Sequence, residues 1–362
     1  MAASNQPTNT AAWLDEAGAS FSIREAPMPE PGPDEVIIKT AALAVNPVDA
    51  ARQALGFLIQ SYPWIFGCDG AGVITAVGSD IRENDLKVGD RVIALSDEWS
   101  VHKPSHGMYQ RYVAVSTKYT CKIPDAVSFE DGVVLPLGIL TATSMMFEKD
   151  NLELSWPVDE EKGVTAPMGK GKPGTEKEVV VIWGGSSSVG ACAVQLAKAA
   201  GYKVVGTARK VNFGLLEECG ADATFDHTDE DVVDKLCKWV EERGLKLAGV
   251  AAAISSDDAL SKCGLIAQRL DGMKWVSTSR AKGISPVPEM PEGVQASNAL
   301  GIEEPELQEH IFKKWMSAAL ESRQLKCKPN ANIVGTGLGS LDEACALMRK
   351  GVSGQKIVVK LE

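Results

Sequence analysis

Apolar and polar positions follow two different patterns along the chain. In the first 140 residues, short β-branched runs such as 35–40 and 72–78 are separated by turns rich in Pro and Gly. Runs of this kind are typical of strands in a compact barrel. Between about 144 and 270, apolar runs alternate with amphipathic helical stretches, as a doubly wound parallel sheet requires. The pattern therefore predicts an α/β chain with a β-barrel domain and a Rossmann doubly wound parallel sheet domain.

Two segments interrupt these patterns. Residues 149–177 are polar, with scattered Pro and Gly, and form a stretch too long for an ordinary connection. We predict an exposed insertion, the alternative being a functional flap. Residues 284–305 are irregular and follow a predicted strand at 274–278. Because segments leaving the C-terminal ends of parallel strands border the ligand crevice, we expect them to wall the substrate site. After residue 306, a helix is predicted to lead into a closing strand at 355–361.

A glycine-rich turn at 184–190 lies between an apolar run, 179–183, and an Ala-rich helical stretch, 191–201. This order forms the first βα unit of a dinucleotide-binding fold, in which the start of the helix binds pyrophosphate. Gly185 and Gly190 fit the G-x-G-x-x-G pattern. Its middle position holds Ser187, which is small and can itself donate to a phosphate oxygen. The predicted cofactor-binding residues of the turn are Gly184, Gly185, Ser186, Ser187, Ser188, Val189 and Gly190.

The residues after the second strand, 203–208, indicate which nucleotide binds. NAD-binding folds place an Asp or Glu about 20 residues beyond the glycines, on the ribose 2′-hydroxyl. This chain has Arg209, Lys210 and Asn212 in that region. A carboxylate would repel a 2′-phosphate, whereas Arg and Lys neutralise it. The sequence therefore predicts NADPH, the alternative being a solvated basic turn.

Composition restricts the partners. The formal net charge of −11 opposes the counterion release that drives nucleic-acid binding, so nucleic acid is not expected. No run approaches the roughly 18 apolar residues of a membrane span, and residues 1–7 are polar without a basic segment. The eight cysteines are scattered singly, which favours reduced, mostly buried thiols. We expect a cytoplasmic monomer with no membrane contact.

Six short motifs in order resemble the medium-chain dehydrogenase/reductase superfamily over essentially the whole chain. They lie at 45–49, 67–78, 88–92, 136–142, 184–190 and 220–222. The resemblance implies a GroES-like catalytic domain at 1–140 and 323–362, with an NADPH-binding Rossmann domain at 141–322 between them. Within the superfamily, the chain is most similar to the fungal trans-acting enoyl reductases of the lovastatin type, which serve polyketide synthases.

Zinc-dependent members of this superfamily hold the metal with a Cys, a His with its neighbouring Glu, and a later Cys or acidic residue. The matching places here hold Asn46, Cys68, Asp69, Leu137 and Gly138. One Cys and one Asp cannot supply the three side-chain ligands of a catalytic zinc, so no metal is predicted. His102 and His106 lie near each other without a third ligand, and we interpret them as part of a solvated loop.

The resemblance also implies candidate site residues. Thr141, placed beside the nicotinamide, and Asn46 are the predicted catalytic residues; their alternatives are a cap at the start of a helix and a turn former. Further predicted cofactor-binding residues are Pro47, Val48, Asp49, His227, Val352 and Ser353. The predicted substrate-binding residues are Arg52, Tyr62, Gly138, Ile139, Leu140, Thr143, Met146 and Ser279. Tyr62 is alternatively a core aromatic residue. The substrate site is expected in the cleft between the domains, walled by 138–147 and 279–291.

One position departs from the family pattern. Lovastatin-type reductases carry a Lys in the active site where this chain has Ala51, with Arg52 adjacent. The predicted function is still NADPH-dependent reduction of the C=C bond of an α,β-unsaturated acyl thioester, in trans with a polyketide synthase whose acyl carrier holds the substrate. The alternatives are a zinc-independent NADPH:quinone oxidoreductase and a cofactor-binding partner protein with little turnover.

Overall fold

The computed structural model describes residues 8–82, 85–165, 177–271, 275–280, 286–299 and 301–361. The strands are β1 Asn9–Trp13, β2 Ser22–Ala26, β3 Glu35–Val45, β4 Asp69–Val77, β5 Arg91–Leu95, β6 Tyr112–Ser116, β7 Thr120–Lys122, β8 Glu178–Trp183, β9 Lys203–Ala208, β10 Ala223–Asp226, β11 Lys246–Ala252, β12 Trp275–Thr278, β13 Gln295–Asn298, β14 Asn330–Thr336 and β15 Gln355–Lys360. The α-helices are α1 Pro47–Leu55, α2 Glu98–Val101, α3 Phe129–Gly132, α4 Pro136–Phe147, α5 Ser188–Ala199, α6 Phe213–Cys219, α7 Val232–Glu242, α8 Asp257–Asp271, α9 Pro305–Gln308, α10 Met316–Glu321 and α11 Leu341–Lys350. A π-helix, Glu309–Trp315, joins α9 to α10. Among the described helices, none has the length and apolar character needed to cross a bilayer.

The first of two compact units contains residues 8–136 and 330–361. Its main sheet has the order β14-β15-β3-β4-β5-β7, with β6 also paired to β3, and β1 pairs with β2 separately. The pairings of the main sheet are antiparallel apart from the parallel pair β14 and β15. Ile38 and Leu43 of β3 share one apolar core with Leu341 and Ile357. The two ends of the chain therefore build one domain, and the predicted closing strand is confirmed.

The second unit contains residues 137–329. Its sheet has the order β10-β9-β8-β11-β12-β13, and each pair is parallel. Numbered within the unit, this is the order 3-2-1-4-5-6 of a Rossmann sheet. Val181 and Val250 on adjacent central strands are buried with Leu236 of α7 and Ile266 of α8, because strands covered by helices must be apolar on that face. The predicted α/β class and doubly wound sheet are confirmed.

The sequence predicted that the stretch 284–305 is irregular, but the structure shows a strand in it. This strand, β13, is the sixth parallel strand of the sheet, and its Asn298 lies opposite Thr278 of β12. The strand is polar and only partly buried, because it lies at the edge of the sheet and covers little of the core. An edge strand of this composition has no apolar alternation to detect. Residues 281–285 and 300 of the predicted substrate wall lie outside the described residues.

The prediction of an exposed insertion at 149–177 is wrong for its first part. Leu154 and Trp156 are buried. The buried Asn151 accepts hydrogen bonds through Oδ1 from the hydroxyls of Ser277, at 3.0 Å, and Ser297, at 2.5 Å. The polar residues therefore have partners inside the second unit, which is how a polar segment can be buried without a large energetic penalty. Residues 166–176 lie outside the described residues.

The first part of the insertion also packs against the π-helix Glu309–Trp315. The rings of Trp156 and His310 have centroids 5.3 Å apart, and His310 Nε2 donates to the carbonyl oxygen of Pro157 at 2.7 Å. Asp159 Oδ2 accepts from the Ser322 hydroxyl at 2.6 Å. The first part of the insertion is thus a partly buried segment that follows α4 and packs against the helices at 305–321.

Lowering the pH is expected to destabilise the protein through His310. Burial lowers the pKa of His310 below its usual range, because the charged ring would lose hydration. The unfolded chain takes up this proton near pH ~6.5 and the folded chain resists it, so the free energy of unfolding falls as the pH drops below that value. Denaturant titrations of the wild type and His310→Gln between about pH 7 and 5 should show a shallower pH dependence for the variant. Equal slopes would show that His310 is not the group responsible.

Candidate active site

The glycine turn follows β8 directly. Gly184 has φ of +79°, a conformation that favours glycine. Ser187 is the N-cap of α5: its Oγ accepts from the Gly190 amide at 3.0 Å and donates to the Gly184 carbonyl at 2.8 Å. A Cβ on Gly190 would lie 2.2 Å from that carbonyl oxygen. The turn therefore brings the positive end of α5 to the C-terminal edge of β8, where dinucleotide folds hold pyrophosphate.

Thr207, which was not predicted from the sequence, anchors this turn. Its hydroxyl accepts from the Gly184 amide at 3.0 Å, and its carbonyl accepts from the Gly185 amide at 2.8 Å. The side chain is fully buried near the end of β9. A Thr in an otherwise apolar buried strand next to a glycine turn is the signal that could have identified it. The Ser187 hydroxyl donates its proton to the Gly184 carbonyl inside the turn. The sequence suggested donation to a phosphate, but in this arrangement the proton is not directed toward one.

The basic residues predicted to select NADPH lie at the end of β9. Arg209 and Lys210 are exposed. The Asn212 amide donates to the Ser186 hydroxyl at 3.4 Å, which joins this loop to the glycine turn. His227, after the adjacent β10, has a buried Nδ1 with no hydrogen-bond partner among the described residues. The structure thus brings the predicted adenosine-side residues to one edge of the sheet.

These features fit a dinucleotide. The glycines let neighbouring side chains pack closely against the turn: a Cβ on Gly185 would lie 2.8 Å from Leu216 Cδ2, and one on Gly184 would lie 2.4 Å from Ile254 Cγ1. The ring nitrogen of His227, which has no hydrogen-bond partner among the described residues, and the two exposed cations lie on the side where dinucleotide folds hold the adenosine ribose. Arg209, Lys210 and His227 would hold the adenosine end, and the turn would hold the pyrophosphate.

The sequence context of Thr141 suggested the start of a helix, but Thr141 lies inside α4. α4 begins at Pro136, and the half-buried Thr141 donates its hydroxyl to the Leu137 carbonyl one turn back, at 2.9 Å. The structure therefore excludes the helix-cap alternative for Thr141. A hydroxyl in this position keeps two lone pairs that can accept hydrogen bonds.

Gly138 lets α4 approach the start of α5. A Cβ at Gly138 would lie 2.9 Å from Ser188 Oγ and 3.0 Å from Cys192 Sγ. This contact fixes α4, and with it Thr141, relative to the glycine turn. The other predicted substrate-binding residues of α4 are buried: Ile139, Leu140, Thr143 and Met146. Their contact with substrate remains a prediction.

Asn46 is the N-cap of α1 in the first unit and is buried. Its side-chain amide donates to Asp49 Oδ2 at 3.1 Å and to Asp69 Oδ2 at 2.9 Å. Its Oδ1 accepts from the ammonium of Lys356, which also lies 3.0 Å from Asp69 Oδ2. Burial, followed by the negative charge of Asp69, raises the pKa of Asp49. Asn46 is therefore the centre of a buried polar cluster, in addition to being a turn former.

Arg52 also has internal partners. Its guanidinium makes two hydrogen bonds to Glu98, at 2.8 and 2.7 Å, and lies over the Phe66 ring. Both charged side chains are buried. The charge of Arg52 is therefore paired inside the first unit, and a substrate contact by Arg52 remains a prediction. Of the remaining predicted residues of this unit, Pro47, Tyr62 and Ser353 are exposed and Val48 and Val352 are half-buried.

Arg280 was also not predicted, although it follows the predicted Ser279 directly. Ser279 donates its hydroxyl to the Ala253 carbonyl at 3.3 Å. The Arg280 guanidinium donates to the Ser255 carbonyl at 2.6 Å, to the carbonyl of Pro286 and to Asp257. Arg280 thus joins the loops after β11 and β12 at the C-terminal edge of the sheet, where ligands of such folds bind. A lone Arg in a loop carries no pattern from which this role follows.

The histidine loop is only partly solvated. His102 is exposed, but His106 is buried, with Nε2 3.1 Å from Glu35 Oε1, so its interpretation as a solvated residue is wrong. In the parts of the chain that the structure covers, no group of three His, Cys, Asp or Glu side chains is arranged to hold a metal. Burial, followed by the charges of Asp49 and Asp69, raises the pKa of the Cys68 thiol well above its usual range. All eight cysteines are free thiols, and Cys327 alone is not buried.

Comparison with known families follows the same division of the chain. The family described as the alcohol dehydrogenase GroES-like domain matches residues 32–125, and the family described as zinc-binding dehydrogenase matches residues 188–263. A GroES-like unit with a Rossmann sheet and its glycine turn defines the medium-chain dehydrogenase/reductase superfamily. The chain belongs to this superfamily, as its motifs indicated.

Individual relatives span nearly the whole chain. Dehydrogenase orsE of Emericella nidulans is 35% identical over 98% of this chain and 99% of its own length. Trans-enoyl reductase himH of Aspergillus japonicus is 33% identical over 98% of this chain and 97% of its own length. Among solved structures, an alcohol dehydrogenase superfamily protein from Novosphingobium aromaticivorans has a TM-score of 0.76 at 22% identity, covering 98% of this chain and 100% of that one. This last likeness shows the fold.

Proposed function

We propose that the chain is an NADPH-dependent enoyl reductase that acts in trans on an α,β-unsaturated acyl thioester held by the acyl carrier of a polyketide synthase. The observation that carries this proposal is the similarity, over 98% of the chain, to a protein named a trans-enoyl reductase. The glycine turn and the arrangement around it supply the cofactor site that such a reaction needs.

NADPH is favoured over NADH by charge. Arg209 and Lys210 lie at the end of β9, where NAD-specific folds have a carboxylate, and both are exposed. A guanidinium can bind a phosphate through two parallel hydrogen bonds, which adds geometric selectivity to the attraction. The buried Nδ1 of His227 offers a further group on the same side.

Reduced nicotinamide, when bound, would supply a hydride for the β-carbon of the enoyl group, and the α-carbon of the resulting enolate would take up a proton from solvent. The chain must orient the substrate carbonyl and stabilise the charge that develops on its oxygen. Thr141 is the candidate donor, because this residue is only half-buried and lies on the helix that packs against the start of α5. Turning this hydroxyl away from Leu137 costs one neutral hydrogen bond, about 1 kcal/mol, whereas a donor to a developing oxyanion contributes about 2.7–4 kcal/mol. The balance favours donation in the transition state.

The function is tested by NADPH oxidation with a set of acceptors. We expect turnover with an enoyl N-acetylcysteamine thioester, a small mimic of the carrier-bound substrate, and a higher kcat/KM when a carrier domain presents the same acyl group. Turnover with quinones and none with enoyl thioesters would replace the proposal by the quinone oxidoreductase. Tight NADPH binding without either reaction would replace it by the partner protein of low turnover.

Replacing Thr141 with Val is expected to lower kcat for the enoyl thioester by about 10- to 100-fold, since the variant keeps the volume and loses the donor. NADPH affinity, measured by fluorescence titration, should remain near the wild-type value. Thr141→Ser keeps the hydroxyl and serves as the matched control. If the Val variant reduces the thioester at the wild-type rate, the hydroxyl only supports α4.

A further inference from the structure

The buried cluster around Asn46 lies where three strands of the first unit end together. Ile357 of β15 is opposite Val45 of β3, and Ala44 is opposite Asp69 of β4. The register therefore places Lys356, next to Ile357, beside Asn46, with Asp69 on the other side. Lys356 is 1% exposed and Asp69 0% exposed. A lysine and a carboxylate are rarely buried so completely unless they are paired.

The orientation of the Asn46 amide is fully determined by these neighbours. Both of its N–H groups are used, one toward Asp49 and one toward Asp69, and its oxygen faces the Lys356 ammonium. An inverted amide would place the NH₂ group against an ammonium and the oxygen against two carboxylates. Lys356 therefore decides which way the side chain points. Asn46 is also the N-cap residue of α1, and its backbone amide donates to Asp49 Oδ2 of the first turn at 2.9 Å.

The residues present do not fit the zinc in the description of the matching family. Asn46 and Lys356 occupy the space between the carboxylates, and an ammonium 3.0 Å from Asp69 Oδ2 leaves no room for a second cation there. The positive charge beside Asp69 is already supplied by Lys356. Removing one partner of such a buried pair leaves an uncompensated charge, which is strongly destabilising.

We propose that Lys356 is a positioning residue: its ammonium takes the place of a metal ion among the buried carboxylates, and it holds Asn46 and the first turn of α1 in their working orientation. The residue acts through Asn46 and need not contact substrate. The same strand offers a matched control in Lys360, which is exposed and pairs with Glu130 at 3.0 Å.

Thermal unfolding of a single and a double variant tests the charge compensation. We expect Lys356→Met to lower the melting temperature clearly, because Asp69 loses its ammonium partner, and Lys356→Met/Asp69→Asn to recover a large part of the loss. Lys360→Met should unfold as the wild type does. A double variant no more stable than Lys356→Met would overturn the proposal. If Lys356→Met does not fold, recovery of folded protein in the double variant supports it and failure of both overturns it.

Two further measurements separate positioning from simple support. In protein labelled with ¹⁵N-Asn, the Asn46 side-chain signals, assigned through Asn46→Ala, should lie at different positions in Asp69→Asn and in Lys356→Met/Asp69→Asn, and they should stay in place in Lys360→Met. In the enoyl thioester assay, which depends on the proposed function, kcat of the double variant should fall about tenfold with KM for NADPH nearly unchanged. Asn46 signals that do not change when Lys356 is replaced would refute positioning, whatever reaction the protein catalyses.

Elemental analysis tests the replacement of a metal. One zinc per chain, with a melting temperature that falls in chelator, would refute it.

Discussion

Replacing Gly190 with Ala is expected to lower the affinity for NADPH by at least about 10³-fold. The new Cβ would lie 2.2 Å from the Gly184 carbonyl oxygen and 2.7 Å from Gly185 Cα, and backbone atoms cannot move aside as a flexible side chain can. Relief of the clash must open the turn or shift α5. Either change separates the start of the helix from the backbone that contacts pyrophosphate, which loses several contacts at once. Isothermal titration calorimetry with the folded variant measures the effect.

Gly214 provides the matched control. A Cβ at this helical position in α6 would meet nothing within 4 Å, so Gly214→Ala should bind NADPH as the wild type does. It should also be slightly more stable, because Ala is favoured over Gly in a helix by about 1 kcal/mol. A Gly190→Ala variant that leaves nucleotide affinity intact would show that the turn is not the pyrophosphate site.

Removing both exposed cations after β9, in Arg209→Ala/Lys210→Ala, is expected to weaken NADPH binding by about 10²-fold or more. Each charge-assisted contact to the 2′-phosphate contributes roughly 1.5–3 kcal/mol, and solvent exposure reduces the sum. NADH has no 2′-phosphate, so its affinity should stay nearly constant, and the ratio of the two affinities isolates the contact. The wild-type preference for NADPH should also decline as salt is added.

The matched control for this pair is Lys238→Ala, an exposed lysine on α7 whose partner Glu242 lies on the same helix. It changes the net charge without touching the nucleotide edge. If the double variant keeps the wild-type ratio of NADPH to NADH affinity, the basic residues form an ordinary solvated turn.

Local features of the chain could be predicted well from the sequence. The glycine turn depends on residues within one βα unit, where the need for small residues is visible in the sequence itself. Gly190 shows this clearly, since a Cβ added there would first meet the carbonyl oxygen of Gly184, six positions earlier. The Rossmann order of the sheet follows from alternating strands and helices, because right-handed crossovers leave few other arrangements.

Features that depend on contacts between residues far apart in the chain could not be predicted from the sequence. Lys356 contacts Asn46, which is 310 positions earlier in the chain. From the sequence alone, a lysine in the closing strand is expected to face solvent. The buried Asn151 and Trp156 lie in a segment whose composition resembles an exposed loop. Its polar side chains are satisfied by serines of β12 and the edge strand β13, and β13 itself has no apolar pattern. Partners of this kind become visible only when the tertiary structure is known.

The buried part of the insertion restricts how chimeras with related reductases can be designed. Glu148 accepts hydrogen bonds from the Glu303 and Glu304 amides, at 2.7 and 3.2 Å, and Trp156 contacts His310. A foreign 148–159 segment grafted alone would meet an unmatched helix, whereas exchange of 148–159 together with 303–322 carries both sides of the contact. The two segments are distant in sequence but form one unit of exchange, and a library that recombines them independently should consist largely of unfolded chains.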